Sequence, residues 1–211
     1  MLAVETAIGV KFASASRRLA FPLWVGVETL ETALWAGSQA LGRGREWPMF
    51  TLYSTAKLRD RLKRPLAATK PPSTTILGDW YGTVLFWKPQ LVLLVNERTL
   101  MPILLPLAPA STLPERIGLA TAALLHRYGM ALPLIERELA AMAEVVIAKT
   151  RNRRVVGTMN EFVFEAGVFR EQMGATDLAK LSMRLAETPC GAIGHTRPNR
   201  LLLDVVSGTL Q

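Results

Sequence analysis

The chain has 211 residues, of which half are apolar and a fifth are charged, so it is long enough and apolar enough to bury a core. This balance excludes an intrinsically disordered protein. One cysteine, Cys190, excludes an internal disulfide, and with two histidines it leaves no usual structural zinc site, which favours a cytoplasmic protein without a metal or cofactor. The formal charge of +8 predicts attraction to anions.

The first 48 residues predict an extension ahead of the main domain. Within residues 19–41, leucine and valine recur at steps of four and three, which indicates an amphipathic helix that docks on the body or on a protein partner. The basic joint Gly42-Arg43-Gly44-Arg45 separates this helix from residues 49–211, which we interpret as one α+β domain. Two glutamates interrupt the apolar run near the start, so neither an export signal nor a membrane span is predicted.

Short β-rich runs follow in the chain. Residues 50–53 predict a strand, and Ser54 predicts the cap of a helix that continues to about residue 64. Three further runs, separated by turn residues, predict an antiparallel meander over residues 83–87, 91–95 and 100–105. Pro102 lacks a donor for the ladder, which places the third of these strands at an edge or at a bulge.

The second half of the chain has mainly helical patterns. Thr112 and Glu115 form a capping-box sequence for a helix that Gly129 ends. Further helices are predicted over residues 133–148, after a second capping box at Thr158 and Glu161, and over residues 176–187. Strands followed by helices indicate an α+β fold, with a small antiparallel sheet packed against a layer of helices.

A dense polar stretch, residues 149–161, is the strongest candidate for a site, because a core does not need so many long hydrogen-bonding side chains in sequence. Arginine offers a planar fork to phosphate or carboxylate, and the following helix offers free N–H groups to an anion. The alternative is a solvated basic turn of Lys149, Arg151, Arg153 and Arg154, with Glu161 acting only as a cap.

Two polar motifs lie upstream, Gly78-Asp79-Trp80 and residues 96–99, and each begins or ends a predicted element. We therefore expect them to meet the polar stretch at one edge of the sheet. Asp79 is then predicted to pair with Arg98 or Arg153. The candidate binding cluster comprises Asp79, Trp80, Asn96, Glu97, Arg98, Thr99, Lys149, Asn152, Arg153 and Asn160.

A second basic candidate lies on the helix after Ser54. Lys57, Arg61 and Arg64 follow one another at steps of four and three, a spacing that suits backbone phosphates but also describes an ordinary exposed helix face. Nearby aromatic rings have the shape to stack on bases, although aromatic strands more often belong to the core. These rings are Trp80, Tyr81 and Trp87.

Three hypotheses for function follow. The first is a non-enzymatic module that binds nucleic acid or another polyanion through its basic surface. The second is an enzyme, although the chain has no Walker loop, dinucleotide glycine motif or nucleophile elbow, and Cys190 with His195 only permits a thiolate pair. Its polar cleft would hold Asp79, Glu97, Arg98, Arg153 and Asn160. The third is an antitoxin-like partner that docks on another protein through residues 19–41.

Four motifs occur in order along the chain: Gly78-Asp79-Trp80, Asn96-Glu97-Arg98-Thr99-Leu100, Lys-Thr-x-Asn-Arg from Lys149 and Gly-x-Met-Asn-Glu from Gly157. Together they resemble a family of small bacterial proteins known only as a domain of unknown function, and the resemblance covers about residues 49–198. The run over residues 181–191 is similar as well. Where the family usually has serine after the Asn-Arg pair, this chain has Arg154. The resemblance implies no established activity.

Overall fold

The computed structural model describes residues 49–68, 72–173 and 177–209. The predicted extension over residues 1–48, with its amphipathic helix over residues 19–41, lies outside the described residues. Within them the chain folds into one mixed β-sheet with helices on both faces. No helix in these ranges is long and apolar enough to cross a bilayer.

The sheet of the described chain has five strands, β1 Met49–Ser54, β2 Trp80–Leu85, β3 Leu91–Asn96, β4 Pro102–Pro106 and β5 Glu144–Lys149. They lie in the order β4-β3-β2-β1-β5. β2, β3 and β4 are antiparallel, whereas β1 runs parallel to both β2 and β5. The predicted meander and the edge position of the strand with Pro102 are confirmed. The prediction of a purely antiparallel sheet is wrong.

The helices are α1 Ala56–Leu62, α2 Leu113–Arg127, α3 Leu132–Ala141, α4 Arg153–Met173, α5 Leu178–Leu185 and α6 Pro198–Thr209. Both predicted capping boxes are wrong. Thr112 precedes α2 without a side-chain cap bond, and Thr158 and Glu161 lie inside α4, which already starts at Arg153. The sequence patterns also missed α6.

β5 is the strand that the sequence pattern assigned wrongly, to the second half of a helix. α3 ends at Ala141, and the β-branched run Val145-Val146-Ile147 then forms an edge strand. Such side chains favour extended backbone, but the spacing of a short apolar run also fits one face of a helix. β5 pairs with β1 along its whole length, from Met49↔Glu144 to Ser54↔Lys149.

Two hydrophobic clusters pack on opposite faces of the sheet. α1, α2, α3 and α6 cover the face that carries Phe50 and Leu52, while α4 and α5 cover the face that carries Tyr53 and Tyr81. β1 contributes to both clusters because successive side chains of a strand point to opposite faces. The predicted single layer of helices is therefore wrong, since β2 and β3 are buried on both faces and need helices on each.

Candidate functional site

The two upstream motifs form a buried turn of the fold. Asn96, at the end of β3, is fully buried, and its Nδ2 donates to the carbonyl oxygens of Leu77 at 3.0 Å and Asp79 at 3.3 Å. Its Oδ1 accepts the N–H of Arg98 at 3.1 Å and both the N–H and the hydroxyl of Thr99 at 2.9 Å. The amide therefore links the segment before β2 to the β3–β4 turn and uses its donors and its acceptor within the fold.

The segment before β2 is held from two sides. Gly78 has a φ of +76°, and a Cβ there would come within 3.2 Å of the Arg98 side chain. Arg98 itself donates to the carbonyl oxygen of Ile76. Glu138 of α3 accepts the N–H groups of Ile76 at 2.6 Å and Leu77 at 3.1 Å, and burial raises the pKa of this carboxyl group. Glu138 and Arg98 therefore both hydrogen-bond to backbone groups of this segment.

Asp79 and Trp80 are also part of the interior. Asp79 is 4% exposed, and its Oδ1 accepts the N–H of Thr51 at 2.9 Å. The arginines predicted to pair with it are placed differently, since Arg98 binds the backbone before β2 and Arg153 is exposed on the first turn of α4. Trp80 lies in the core on the other face of the sheet from Tyr81, so its ring is not accessible for stacking.

The third motif contacts this turn through the hydrogen bonds of Asn152. Its Oδ1 caps α4 by accepting the N–H groups of Arg154 at 3.1 Å and Val155 at 3.5 Å. Its own N–H donates to the hydroxyl of Tyr81 at 3.2 Å, and its Nδ2 donates to Oε1 of Glu97 at 3.5 Å. Asn160 lies about two turns further along α4, exposed, and is separated from the cluster.

Two stacked tyrosines form the floor beneath the polar stretch. The rings of Tyr53 and Tyr81 lie 4.7 Å apart, and the hydroxyl of Tyr81 donates to Glu97 at 3.3 Å. Burial, with the negative charge of Glu97 adding to it, raises the pKa of Tyr81 to about 12, so this phenol stays neutral. The guanidinium of Arg151 lies 5.0 Å above the centre of the Tyr53 ring. This cation–π contact holds Arg151 over the end of β1.

Four cations lie between the end of β5 and the first turn of α4, and we call them the basic turn: Lys149, Arg151, Arg153 and Arg154. All four are exposed, and in the parts of the chain that the structure describes no carboxylate lies within ion-pair distance of any of them. They lie at the N-terminal end of α4, where the helix dipole adds positive potential. The basic turn is therefore available to an external anion.

A pocket of about 210 Å³ lies beside the basic turn, on the part of the sheet where β1 and β5 run side by side. The hydroxyl of Thr51 at its base is buried and has no hydrogen-bond partner among the described residues. The lining residues are Thr51, Tyr53, Ala67, Ala68, Val146, Ala148, Lys149 and Arg151.

The predicted basic helix face is divided in the structure. α1 ends at Leu62, so Arg64 lies beyond it, and Arg64 is paired with Glu115 at 2.6 Å. Lys57 and Arg61 remain exposed on α1, with the ammonium of Lys57 lying 5.4 Å from the ring centre of Phe86, which is 55% exposed. Because α1 follows β1 and the end of β1 pairs with the end of β5, Lys57 and the basic turn lie at the same end of the sheet.

Cys190 does not have the environment of a nucleophile. It is buried, its thiol lies 3.5 Å from the carbonyl oxygen of Thr188, and burial raises its pKa to about 12. His195 is exposed. Within the described residues no three potential metal ligands cluster together.

The residues beneath the basic turn are not among the site residues that the sequence patterns predict. The patterns predict Tyr53 as a strand residue and Tyr81 as a stacking or core residue, whereas the structure joins them to Glu97, Arg151 and Asn152. The signal that could have found them is the β-branched composition of β5. Read as a strand, it would have placed the polar stretch beside the end of β1.

The described residues define a small α+β protein, with a mixed sheet between two helical layers and an unpaired basic turn at the end of its parallel strands. The chain belongs to the family described as Domain of unknown function (DUF6933), whose model matches residues 51–201. This match confirms the predicted resemblance to a domain of unknown function. No curated protein and no solved structure shows significant similarity to the chain.

Proposed function

We propose that the chain is a binding module for nucleic acid or another polyanion, and that the basic turn makes the contact. The observation that carries the proposal is the exposure of Lys149, Arg151, Arg153 and Arg154 within one short turn, without carboxylate partners among the described residues. The four cations form one positive patch, and Glu97 beneath Arg151 offsets part of its charge without forming an ion pair. Such a patch suits a row of phosphates.

The position of the basic turn in the sheet supports the proposal. β1 and β5 are parallel, and the chain leaves the end of β1 toward α1 on one face and the end of β5 toward α4 on the other. In open sheets with parallel strands, ligands bind outside the carboxyl ends of the strands where the connections diverge to opposite faces. The basic turn occupies this position.

An exposed aromatic ring near the same end of the sheet favours single-stranded nucleic acid as the polyanion. Phe86 lies just after β2, and Lys57 at the start of α1 is directed toward its ring. Base stacking on an exposed ring next to cations is the usual way in which single strands are bound without sequence preference. A strand that crosses the basic turn is thus expected to continue toward Lys57 and Phe86.

The polar cleft of the enzyme hypothesis is less well supported. Asp79 and Arg98 bind backbone groups of the fold, while Arg153 and Asn160 lie on different turns of α4. Glu97 bonds to Tyr81 and Asn152, which leaves no free acid and base facing each other within this set. The antitoxin-like hypothesis depends on residues 19–41, outside the described residues, and stays a hypothesis.

Titration with a fluorescent single-stranded oligonucleotide at several salt concentrations tests the proposal. The logarithm of the affinity should fall linearly with the logarithm of salt, and the double variant Arg153→Ala/Arg154→Ala should reduce the slope by about 0.7 for each lost phosphate contact. The matched control is Lys180→Ala/Arg184→Ala on α5, where both cations already lie near carboxylates. Binding that is independent of salt, or equally weakened by both double variants, would contradict the proposal.

A further inference from the structure

The β1–β5 part of the sheet carries a pocket on the face that bears Tyr53. Among the described residues, α4 packs mainly on β2 and β3, and the pocket lies beside it over β1 and β5. Thr51 pairs with Val146 and Tyr53 with Ala148, and these four side chains form the base of the pocket of about 210 Å³. The concavity is therefore built from regular strands, whose positions are fixed by the ladder.

The small size of the lining side chains keeps this pocket open. Ala148 lies on β5, and Ala67 and Ala68 form the opposite wall, where the N–H of Ala67 is bonded to the carbonyl oxygen of Ile147 at 3.0 Å. A leucine at any of the three alanines would fill much of the space. The wall is apolar, so it offers contact to a hydrocarbon body and no partner to a polar one.

The polar groups of the pocket are arranged at its two ends. Lys149 and Arg151 stand at the rim, with Arg151 held in place over the Tyr53 ring. No carboxylate is among the lining residues, so the pocket favours an anion over a cation. At the base, the buried hydroxyl of Thr51 has no hydrogen-bond partner among the described residues, whereas a buried polar group normally has at least one.

We infer that this pocket binds a small organic acid, with an apolar body against the alanine wall and a carboxylate at Lys149 and Arg151. An apolar cavity of about 150 Å³ holds one benzene molecule, so the pocket suits a ligand of about ten non-hydrogen atoms and is too small for a nucleotide. A hydroxyl or carbonyl oxygen at the far end of the ligand bonds to Thr51. The site shares two cations with the proposed polyanion surface but requires a pocket that a polyanion does not need.

The test is a titration of the full chain with sodium benzoate, followed by amide chemical shifts, beside benzyl alcohol and benzylamine as probes with the same ring. Benzoate should bind saturably, with a dissociation constant on the order of 1 mM, and should shift the amides of Thr51, Val146 and Ala148. The neutral alcohol should bind at least tenfold more weakly, and the amine should not bind. Absence of saturable shifts with benzoate, or equal affinity for benzylamine, overturns the inference.

Two variants connect the binding to this pocket. Ala148→Leu should abolish benzoate binding, while the control Ala140→Leu, at an exposed position of α3, should leave it unchanged. For Thr51→Val, 3-hydroxybenzoate replaces benzoate as the probe, and its affinity should fall on the order of tenfold without loss of thermal stability, since the buried hydroxyl has no partner to lose. Benzoate affinity that Ala148→Leu leaves intact, or 3-hydroxybenzoate affinity that Thr51→Val leaves intact, refutes the assignment.

The same variants separate this inference from the proposed function. Ala148→Leu should bind the oligonucleotide with unchanged affinity and salt dependence, whereas Arg153→Ala/Arg154→Ala should lose oligonucleotide affinity and keep benzoate affinity. A chain that binds benzoate but no oligonucleotide refutes only the polyanion proposal. A chain that binds the oligonucleotide but not benzoate refutes only the pocket.

Discussion

Glu138 shows how a charged residue can be required by the fold alone. Its two carboxylate oxygens accept the adjacent N–H groups of Ile76 and Leu77, and the side chain is 1% exposed. Glu138→Ala would leave one buried and one partly buried N–H group without an acceptor, so we expect a loss of about 2–4 kcal/mol in the free energy of unfolding. Urea unfolding measures this, with the exposed neighbour Glu136→Ala as the control. Equal stability of the two variants would contradict the assigned role.

Tyr81 should make the protein sensitive to alkaline pH. Burial and the nearby Glu97 raise its pKa to about 12, against about 10 in the unfolded chain. The raised pKa means that its contribution to stability is complete below pH of about 10 and is lost as the pH rises toward 12. The free energy of unfolding should therefore fall by about 1–3 kcal/mol across this range because of Tyr81.

Tyr81→Phe isolates that contribution. The variant loses the hydrogen bonds to Glu97 and Asn152 at every pH, but its stability should fall less steeply than that of the natural chain above pH of about 10. Tyr128, whose pKa is also raised to about 12 by burial, keeps its own share of the dependence in both proteins. Parallel curves from urea unfolding at several alkaline pH values would be evidence against a perturbed Tyr81.

The sequence patterns identified polar residues with a specific role more reliably than they identified the role itself. The sequence patterns single out Asn96 and Arg98 as unusual polar residues. In the structure Asn96 ends β3 and Arg98 follows it before β4, and their side chains bind backbone carbonyl oxygens of the segment before β2. A ligand site and a buried turn both require hydrogen-bonding side chains at the end of a strand, so residue type alone does not distinguish them. The distinction requires burial, which only the tertiary fold supplies.

At the level of the helix, α4 depends on its cap at Asn152. Asn152→Ala removes the acceptor for the N–H groups of Arg154 and Val155, and we expect a loss of about 1 kcal/mol in stability. Asn160→Ala is the matched control, because the same change on the exposed middle of α4 should alter stability by less than about 0.5 kcal/mol. Thermal melts of the two variants measure this difference, and equal melting temperatures would contradict a stabilising role for the Asn152 cap.

The strands of the hairpins were predictable from local patterns, and the strand that depends on a distant partner was not. β2, β3 and β4 are joined by short turns, so turn residues and β-rich runs were sufficient to find them. β5 has its partner β1 far away in the chain, and a short apolar run before a basic turn fits a helix end as well as a strand end. Pairing with β1 makes this segment a strand, and the local sequence pattern carries no information about that pairing.

At the scale of the whole molecule, the domain boundary near Met49 can be tested by truncation. β1 begins at Met49, and both core clusters of the described residues are formed by side chains from Phe50 onward. A chain that starts at Met49 should therefore unfold cooperatively, with coincident circular dichroism and fluorescence transitions. Loss of cooperativity or insolubility on removing residues 1–48 would show that they belong to the domain.

The central position of β1 also has a consequence for the order in which the protein assembles. β1 leaves the ribosome before β2, β3, β4, α2 and α3, yet its second neighbour, β5, follows all of them. The hairpins β2–β3 and β3–β4 can close early because their loops are short, whereas the β1–β5 pair must wait and close a long loop. Until then one side of β1 is an open strand edge, so aggregation during synthesis is expected to start there.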